Sequence, residues 1–554
     1  MSRTVTGIVV LFSAAMTLNA VEPLAPAPPV SASKLTNAES ARRKLGLYAS
    51  YPYVPTIGNV KVAILDSGFD RIDGIRPYLP KTAEVVEHYD PEFIRKHNLG
   101  DPEFKKAFIP GESHGRLMAQ IVWAASGSSP FGPKFYLLNA NGPTLFRRAV
   151  RYAIEQKVDI ILFSGTFEGA GNFDGRGPIN TVVDEAVAAG IIWVNAAGNT
   201  GGSVYNGPVS LDQTGYLKLK TGDDPTALRF ANRLDENAVT VTLTWNDYKE
   251  TEDAGTEKDL DLVVEDWLGR VVGESKLTQV PEGRAAVAGE TKNPRERLVL
   301  PEIPAKPAGE EYRIRVKAKS SNFGPLDRIR ILVSSGRPAP IVDPDSGKTV
   351  IPVELLDASK SGEIYPPADH AGVLAVGDST QPSAVGPTVD GRLKPDVIIG
   401  DSVARFSNGD ESIGSSNAAA YFAGVVAVLR AGEPGLTTGH LREWVRRLDR
   451  EKAIADAKIP PKVLENAPLS PNQVLAMRYA AIALEQKRLR GESNPEVFVS
   501  NPGGTVVVTP KNRSSKLPVS EAPRRDALVH AGWLTPKPGE LATLVRSLPG
   551  KDSK

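Results

Sequence analysis

Two periodicities divide the chain. Residues 58–65, Gly-Asn-Val-Lys-Val-Ala-Ile-Leu, are a β-branched and aliphatic run that predicts a buried strand, ending at Asp66-Ser67-Gly68. From Leu117 to Ala125 the apolar residues recur at helical spacing, with His114 at the start. Helical spacing returns at 144–157 (Leu145, Ala149, Tyr152, Ala153) and at Ile179–Ala189. Each of these helices feeds an apolar strand. One is Val158–Phe163, followed by Ser164-Gly165-Thr166; the other is Ile191–Val194, followed by Asn195-Ala196-Ala197-Gly198-Asn199. Strands alternating with helices predict a parallel sheet with right-handed crossovers.

Period two then takes over. Val239–Trp245 and Tyr312–Ala318 alternate residue by residue, and Leu260–Val264 and Ile329–Val333 read as further strands. No long helix separates them. The pattern predicts an inserted antiparallel β-sandwich, jelly-roll-like, over 209–336. Ala371–Gly377 restores the first pattern, and Gly391–Ile399 leads towards Gly414. From Ala418 to Leu429 there is no charge and one polar group, the Tyr421 hydroxyl. A helix apolar on all sides must be buried. This one opens on two hydroxyls, Ser415 and Ser416. A serine there sits beside unpaired N–H groups at the positive end of the helix dipole. The plainer reading of either serine is a helix cap. Past Arg430, Leu436–Leu448 reads as a capped surface helix. A second helix runs from Ser470-Pro471 to about Arg488, and Val497–Val499 with Thr505–Thr509 predicts a hairpin. The Pro-, Lys- and Ser-rich tail from Pro510 predicts no packed element.

The expected fold is therefore α/β: a doubly wound parallel sheet with an inserted antiparallel β-sandwich. The expected boundaries are 1–20 signal peptide, 21–44 linker, 45–208 first part of the sheet domain, 209–336 insert, 337–450 second part, and 451–554 a C-terminal helical and hairpin extension. Arg3, the apolar run Gly7–Leu18 and Ala20 resemble a secretory signal peptide, and the run is too short to span a bilayer. This predicts a secreted or periplasmic protein. Lys34–Ile57 is too short for a folding prodomain with its own core, so the expected mature start is near residue 21.

Composition narrows the chemistry by exclusion. Lys+Arg 66 against Asp+Glu 65 gives a net charge of +1, which offers no footing for nucleic acid or an anionic membrane. With no cysteine there is no disulfide and no Cys-based zinc or redox site. Asn246, Asp247, Asp259 and Asp261 carry oxygens suited to structural calcium, but the plainer reading is solvated loop side chains. No cofactor is expected, and no metal ligand is assigned.

A strand-end aspartate, a glycine-flanked histidine and a serine at a helix start can form one nucleophilic site. Serine needs a base to take its proton; histidine serves near neutral pH, and a carboxylate orients its ring. The chain order Asp66, His114, Ser416 is the subtilisin order. The local motifs agree. Val62–Gly68, Ser113-His114-Gly115, Ala196-Ala197-Gly198-Asn199 and Gly414–Ala418, running on to Ala423-Gly424, resemble the subtilisin-like serine proteases, or subtilases. Gly391–Asp396 resembles another segment of that family. The resemblance implies a serine endopeptidase acting on proteins or peptides. It implies Ser416 as nucleophile, His114 as base and Asp66 as its orienter. Asn199 would be the oxyanion donor, and Ser164, Gly165, Ala196, Ala197 and Gly198 the peptide-binding groove.

The chain departs from the family pattern at Arg116, where a small hydroxyl residue is usual, and at Leu162 and Gly165. It also has Ser415 for a threonine and Ala420 for a proline. None removes a reacting group. A second reading keeps the scaffold but makes the sandwich the working part of a weak or inactive binding protein. An esterase on an α/β-hydrolase fold is excluded by the order of His114 and Ser416 and by the lack of a Gly-x-Ser-x-Gly elbow.

Overall fold

The computed structural model describes residues 35–37, most of 55–446, and the two strands of a late hairpin. The short stretches 128–131, 252, 337–340, 343–348, 380–381, 401 and 408–410 fall outside the description. So do the expected signal peptide, the 470–488 helix and the tail.

The sheet domain is built on seven strands: β1 (Lys61–Asp66), β2 (Glu84–Val86), β3 (Lys134–Asn139), β4 (Ile160–Phe163), β5 (Ile192–Ala196), β6 (Val373–Asp378) and β7 (Val397–Ile399). Their order is β2-β3-β1-β4-β5-β6-β7, and every pairing is parallel. Five helices matter here: α1 (Pro91–Lys96), α2 (His114–Ala125), α3 (Pro143–Glu155), α4 (Pro178–Ala188) and α5 (Ser415–Gly432). Alternate residues of β1 enter different cores. Val62 and Ile64 join α2 and α5 on one face, while Ala63 and Leu65 join α3 and α4 on the other. A sheet covered on both faces needs apolar residues at both parities, which is why these strands read as unbroken runs.

Helix α5 lies under the centre of the sheet against β4, β5, β6 and α2. All its residues from Asn417 to Leu429 are buried. It meets α2 at Gly424, where an added Cβ would lie 2.4 Å from the Ala125 Cβ and 2.8 Å from the Val122 carbonyl. Glycine is what allows the two helices that carry His114 and Ser416 to cross so closely.

The insert is a β-sandwich of two antiparallel sheets. One runs Val271–Ser275, Leu260–Glu265, Tyr312–Ala318, Leu228–Asn232, Val353–Leu355; the other runs Arg295–Ile303, Asn237–Trp245, Arg328–Ser335, Val204–Pro208. Val239, Val241, Leu243 and Trp245 face Tyr312, Ile314 and Val316 across its core, as the alternation requires. Its outermost strands, Val204–Pro208 and Val353–Leu355, lie outside the 209–336 span. Both are short, and the first ends in Gly207-Pro208, so neither carries a period-two signal.

Sandwich and sheet domain share a buried joint. Arg330, 1% exposed, projects from the strand Arg328–Ser335. Its guanidinium lies 4.0 Å from the Phe173 ring centroid and 5.0 Å from that of Tyr365, and it donates to the Ile364 carbonyl. Burial pulls its pKa down to about 10. Nearby, the Tyr248 N–H donates to Asn172 Oδ1 and the Asn172 amide donates to the Tyr248 carbonyl, both at 2.8 Å. The Tyr248 hydroxyl donates to the Gly169 carbonyl. The insert thus grips the loop that follows β4.

At the other end, Leu35 is buried and forms an antiparallel bridge to Phe406. Its neighbour Thr36 donates its N–H to the Arg405 carbonyl at 2.7 Å. The expected hairpin forms from Val497–Asn501 and Gly504–Val508, paired antiparallel.

Candidate active site

Parallel strands bring their C-terminal ends to one edge. Leu65 pairs with Phe163 and Phe163 with Asn195, so Asp66, Ser164 and Ala196 stand side by side there. Helices α2 and α5 begin at the same edge, which places His114 and Ser416 beside these strand ends.

Asp66 is 5% exposed and closes β1. One oxygen, Oδ1, accepts the Ser67 N–H at 2.8 Å; the other, Oδ2, is 2.7 Å from His114 Nδ1. This contact depends on Gly115. A Cβ there would lie 2.6 Å from the Asp66 Cβ and 2.7 Å from the Gly68 carbonyl, to which the Gly115 N–H donates at 3.0 Å. A second carboxylate stands close by. Glu112 Oε1 accepts the His114 backbone N–H at 2.7 Å, occupying an orphan donor of the first turn of α2. Burial of the imidazole lowers its proton affinity, but the Asp66 charge and hydrogen bond and the Glu112 charge outweigh that. The His114 pKa is therefore raised from its ordinary 6.5.

Ser416 is the second residue of α5 and is half-buried. Its hydroxyl donates to the Ser164 carbonyl at 2.8 Å, and no hydrogen bond joins it to His114. Ser415 is fully buried and has a different task. Its Oγ accepts the Gly198 N–H at 3.2 Å and donates to Asn199 Oδ1 at 2.9 Å, while its own N–H donates to the same oxygen at 3.0 Å. Ser415 therefore fixes both Gly198 and Asn199 and takes up the carbonyl end of the Asn199 side chain. The NH2 end of this exposed residue has no hydrogen-bond partner among the described residues. Gly414, at φ 127°, turns the chain into the helix where a Cβ would meet the Asn199 amide at 3.1 Å.

The expected groove residues come together as well. Ser164, Gly165, Ala196, Ala197 and Gly198 extend the neighbouring strands β4 and β5. Asn195 ties them, its amide donating to the Gly165 carbonyl at 2.9 Å. Three residues had no signal in the sequence: Ser415 as a hub, Asn195 as a tie, and Glu112 as a second acid near His114. Their roles are set by partners as far as 217 positions away. Arg116 is buried, and Leu162 lies inside the sheet. In the insert, Asp247 is bonded to Thr256 and Lys249, and Asn246 accepts the Arg328 N–H. Among the described residues no group of three or more His, Asp or Glu side chains is arranged to hold a metal ion.

The family model described as "Subtilase family" matches residues 58–457. The chain belongs to the subtilase family. At the level of the family this means serine peptidase chemistry and protein substrates. No curated protein matches this subtilase. Among solved structures, the CspB protease of Clostridium perfringens is similar at 14% identity and a TM-score of 0.43, over 74% of this chain and 92% of that one. Among the described residues no helix is long and apolar enough to cross a membrane.

Proposed function

We propose that this subtilase is an exported serine endopeptidase working through Asp66, His114 and Ser416. The observation that carries the reading is the 2.7 Å contact from Asp66 Oδ2 to His114 Nδ1. It leaves His114 Nε2 as the ring's free basic nitrogen, at the edge where α5 presents Ser416. A peptide in extended form pairs its backbone with Ser164 and Gly165. Its N–H takes the Ser164 carbonyl and releases the Ser416 hydroxyl, which turns to His114 Nε2. Ser416 Oγ then attacks the scissile carbonyl carbon while His114 accepts the hydroxyl proton. The oxyanion receives the Asn199 amide and the Ser416 backbone N–H at the start of α5. His114 returns the proton to the leaving amine, and water repeats the sequence on the acyl ester. No step calls for a cofactor. The signal-peptide-like start, Arg3 to Ala20, supports export.

One observation favours the alternative of an inactive scaffold: the Ser416 hydroxyl rests on Ser164 and not on His114. A fluorophosphonate probe separates the two. An active site labels at Ser416, and an inactive scaffold stays unlabelled. Ser416→Ala should abolish labelling and cut casein turnover by about 10⁴- to 10⁶-fold, the scale of subtilisin's triad, with the melting temperature unchanged. Casein cleavage at the wild-type rate by Ser416→Ala removes the assignment.

A further inference from the structure

The substrate residue whose carbonyl is attacked must send its side chain between the two groove edges, and the lining of that space bears on specificity. With its N–H on the Ser164 carbonyl and its oxygen at Asn199, this residue sits between Ser164–Thr166 and Ala196–Gly198. The gap is narrow beside Gly198. A Cβ on Gly198 would lie 3.6 Å from the Thr166 Cγ2 and 3.7 Å from the Ala384 Cβ. A side chain entering there passes Thr166. Next to Thr166 is a carboxylate, Glu168, whose Oε1 accepts the Thr166 hydroxyl at 3.2 Å.

Glu168 is exposed to solvent, and among the described residues no Lys or Arg forms an ion pair with it within 4.0 Å. The charged and titratable groups near it include Arg297 and Arg295, both from the sandwich strand Arg295–Ile303 and the second lying against the neighbouring Gly169, and Tyr365, whose hydroxyl is buried without a hydrogen-bond partner. The geometry points to Glu168 as the residue that selects a lysine or arginine immediately before the scissile bond. The inference rests on the peptidase reading above. Its physical reason is a carboxylate without an ion-pair partner, held by Thr166 beside the small residues Gly198 and Ala384. Crowding by protein raises the Glu168 pKa more than Thr166 and Arg297 lower it. An ammonium or guanidinium arriving past Thr166 supplies the missing counter-charge by a charge-assisted hydrogen bond. An acidic side chain is repelled, and a large apolar one meets a carboxylate that it cannot satisfy.

The test uses the full chain and four fluorogenic peptides that differ only at the residue before the cleaved bond: Lys, Arg, Leu or Phe. Wild type should prefer Lys and Arg in kcat/KM. Glu168→Gln keeps an oxygen for Thr166 and removes the charge. It should lower kcat/KM for the Lys and Arg peptides by about 10- to 100-fold while leaving Leu and Phe within about twofold. A wild type that a fluorophosphonate labels at Ser416 but that prefers Leu or Phe overturns this assignment and leaves the peptidase reading standing. So does a Glu168→Gln variant that slows all four peptides equally. A wild type that neither labels nor cleaves any peptide overturns both.

Discussion

Two carboxylates contact His114, and only one of them contacts its ring. Asp66 orients the imidazole; Glu112 reaches it through the backbone N–H and through its charge. In its proposed role as general base His114 must be neutral, so its raised pKa should move the acid limb of kcat/KM upwards. Glu112→Gln keeps the hydrogen bond to the His114 N–H and removes one negative charge. The acid limb should move to lower pH, and imidazole NMR of the six histidines should show the His114 titration moving with it. A profile that stays in place denies Glu112 any electrostatic part. Stability follows the opposite sign. The contribution of a protonated His114 between two carboxylates is present in full below the pKa of the unfolded histidine and is lost as pH rises through the raised folded value. At this scale the sequence was legible where a residue type and its neighbours suffice: Asp66 at a strand end, His114 before Gly115, Ser416 after Gly414. It was silent on the task of Ser415, which read as a helix cap and a departure from threonine, because its bonds run to Gly198 and Asn199.

Among the elements, α5 shows most plainly why pattern and place agree. Its uncharged run predicts burial on all sides, and the helix packs beside α2 against one face of the sheet. The pattern could not indicate which small residue meets a neighbour. That is Gly424, and Gly424→Ala should destabilise the fold by about 1–3 kcal/mol, read from urea unfolding. Activity should fall as well, since any separation of α5 from α2 moves Ser416 relative to His114. A variant as stable as wild type would mean the crossing can open without strain. The parallel strands β1, β4, β5 and β6 were readable because burial on both faces leaves long apolar runs; β2, β3 and β7 were not read as strands. The edge strands of the sandwich were not, since Val204–Pro208 and Val353–Leu355 are too short to show a period.

For the whole molecule, the insert is fastened to the sheet domain by Arg330. Removing that side chain leaves Phe173 and Tyr365 facing a void and the Ile364 carbonyl without its donor. Arg330→Ala should cost about 2–4 kcal/mol and lower the melting temperature of sheet domain and insert together. Two separated transitions in calorimetry would instead make the insert an independent unit. Maturation is a property of the whole chain too. Leu35 and Thr36 pair with the segment just before α5, so an N-terminus near residue 21 preserves a packed contact, and trimming beyond residue 37 removes it. N-terminal sequencing of the exported protein should give a start near residue 21. A start beyond about residue 45 that disappears in Ser416→Ala would show self-processing.

The insert also separates the members of the site in time. Asp66, His114 and Asn199 precede the sandwich, whose strands run from Val204 to Leu355, and Ser416 follows it. A ribosome takes roughly 8–30 s to cross that span at about 5–20 residues per second. On the proposed reading, through that interval the emerging chain has its base and orienting acid but not its nucleophile. A chain that stalls or is truncated in the sandwich would then lack Ser416 and could not cleave peptide bonds by the proposed route. On the proposed reading the order of the residues along the message works as a safeguard, because the nucleophile is synthesised only after the insert that grips the loop beyond β4.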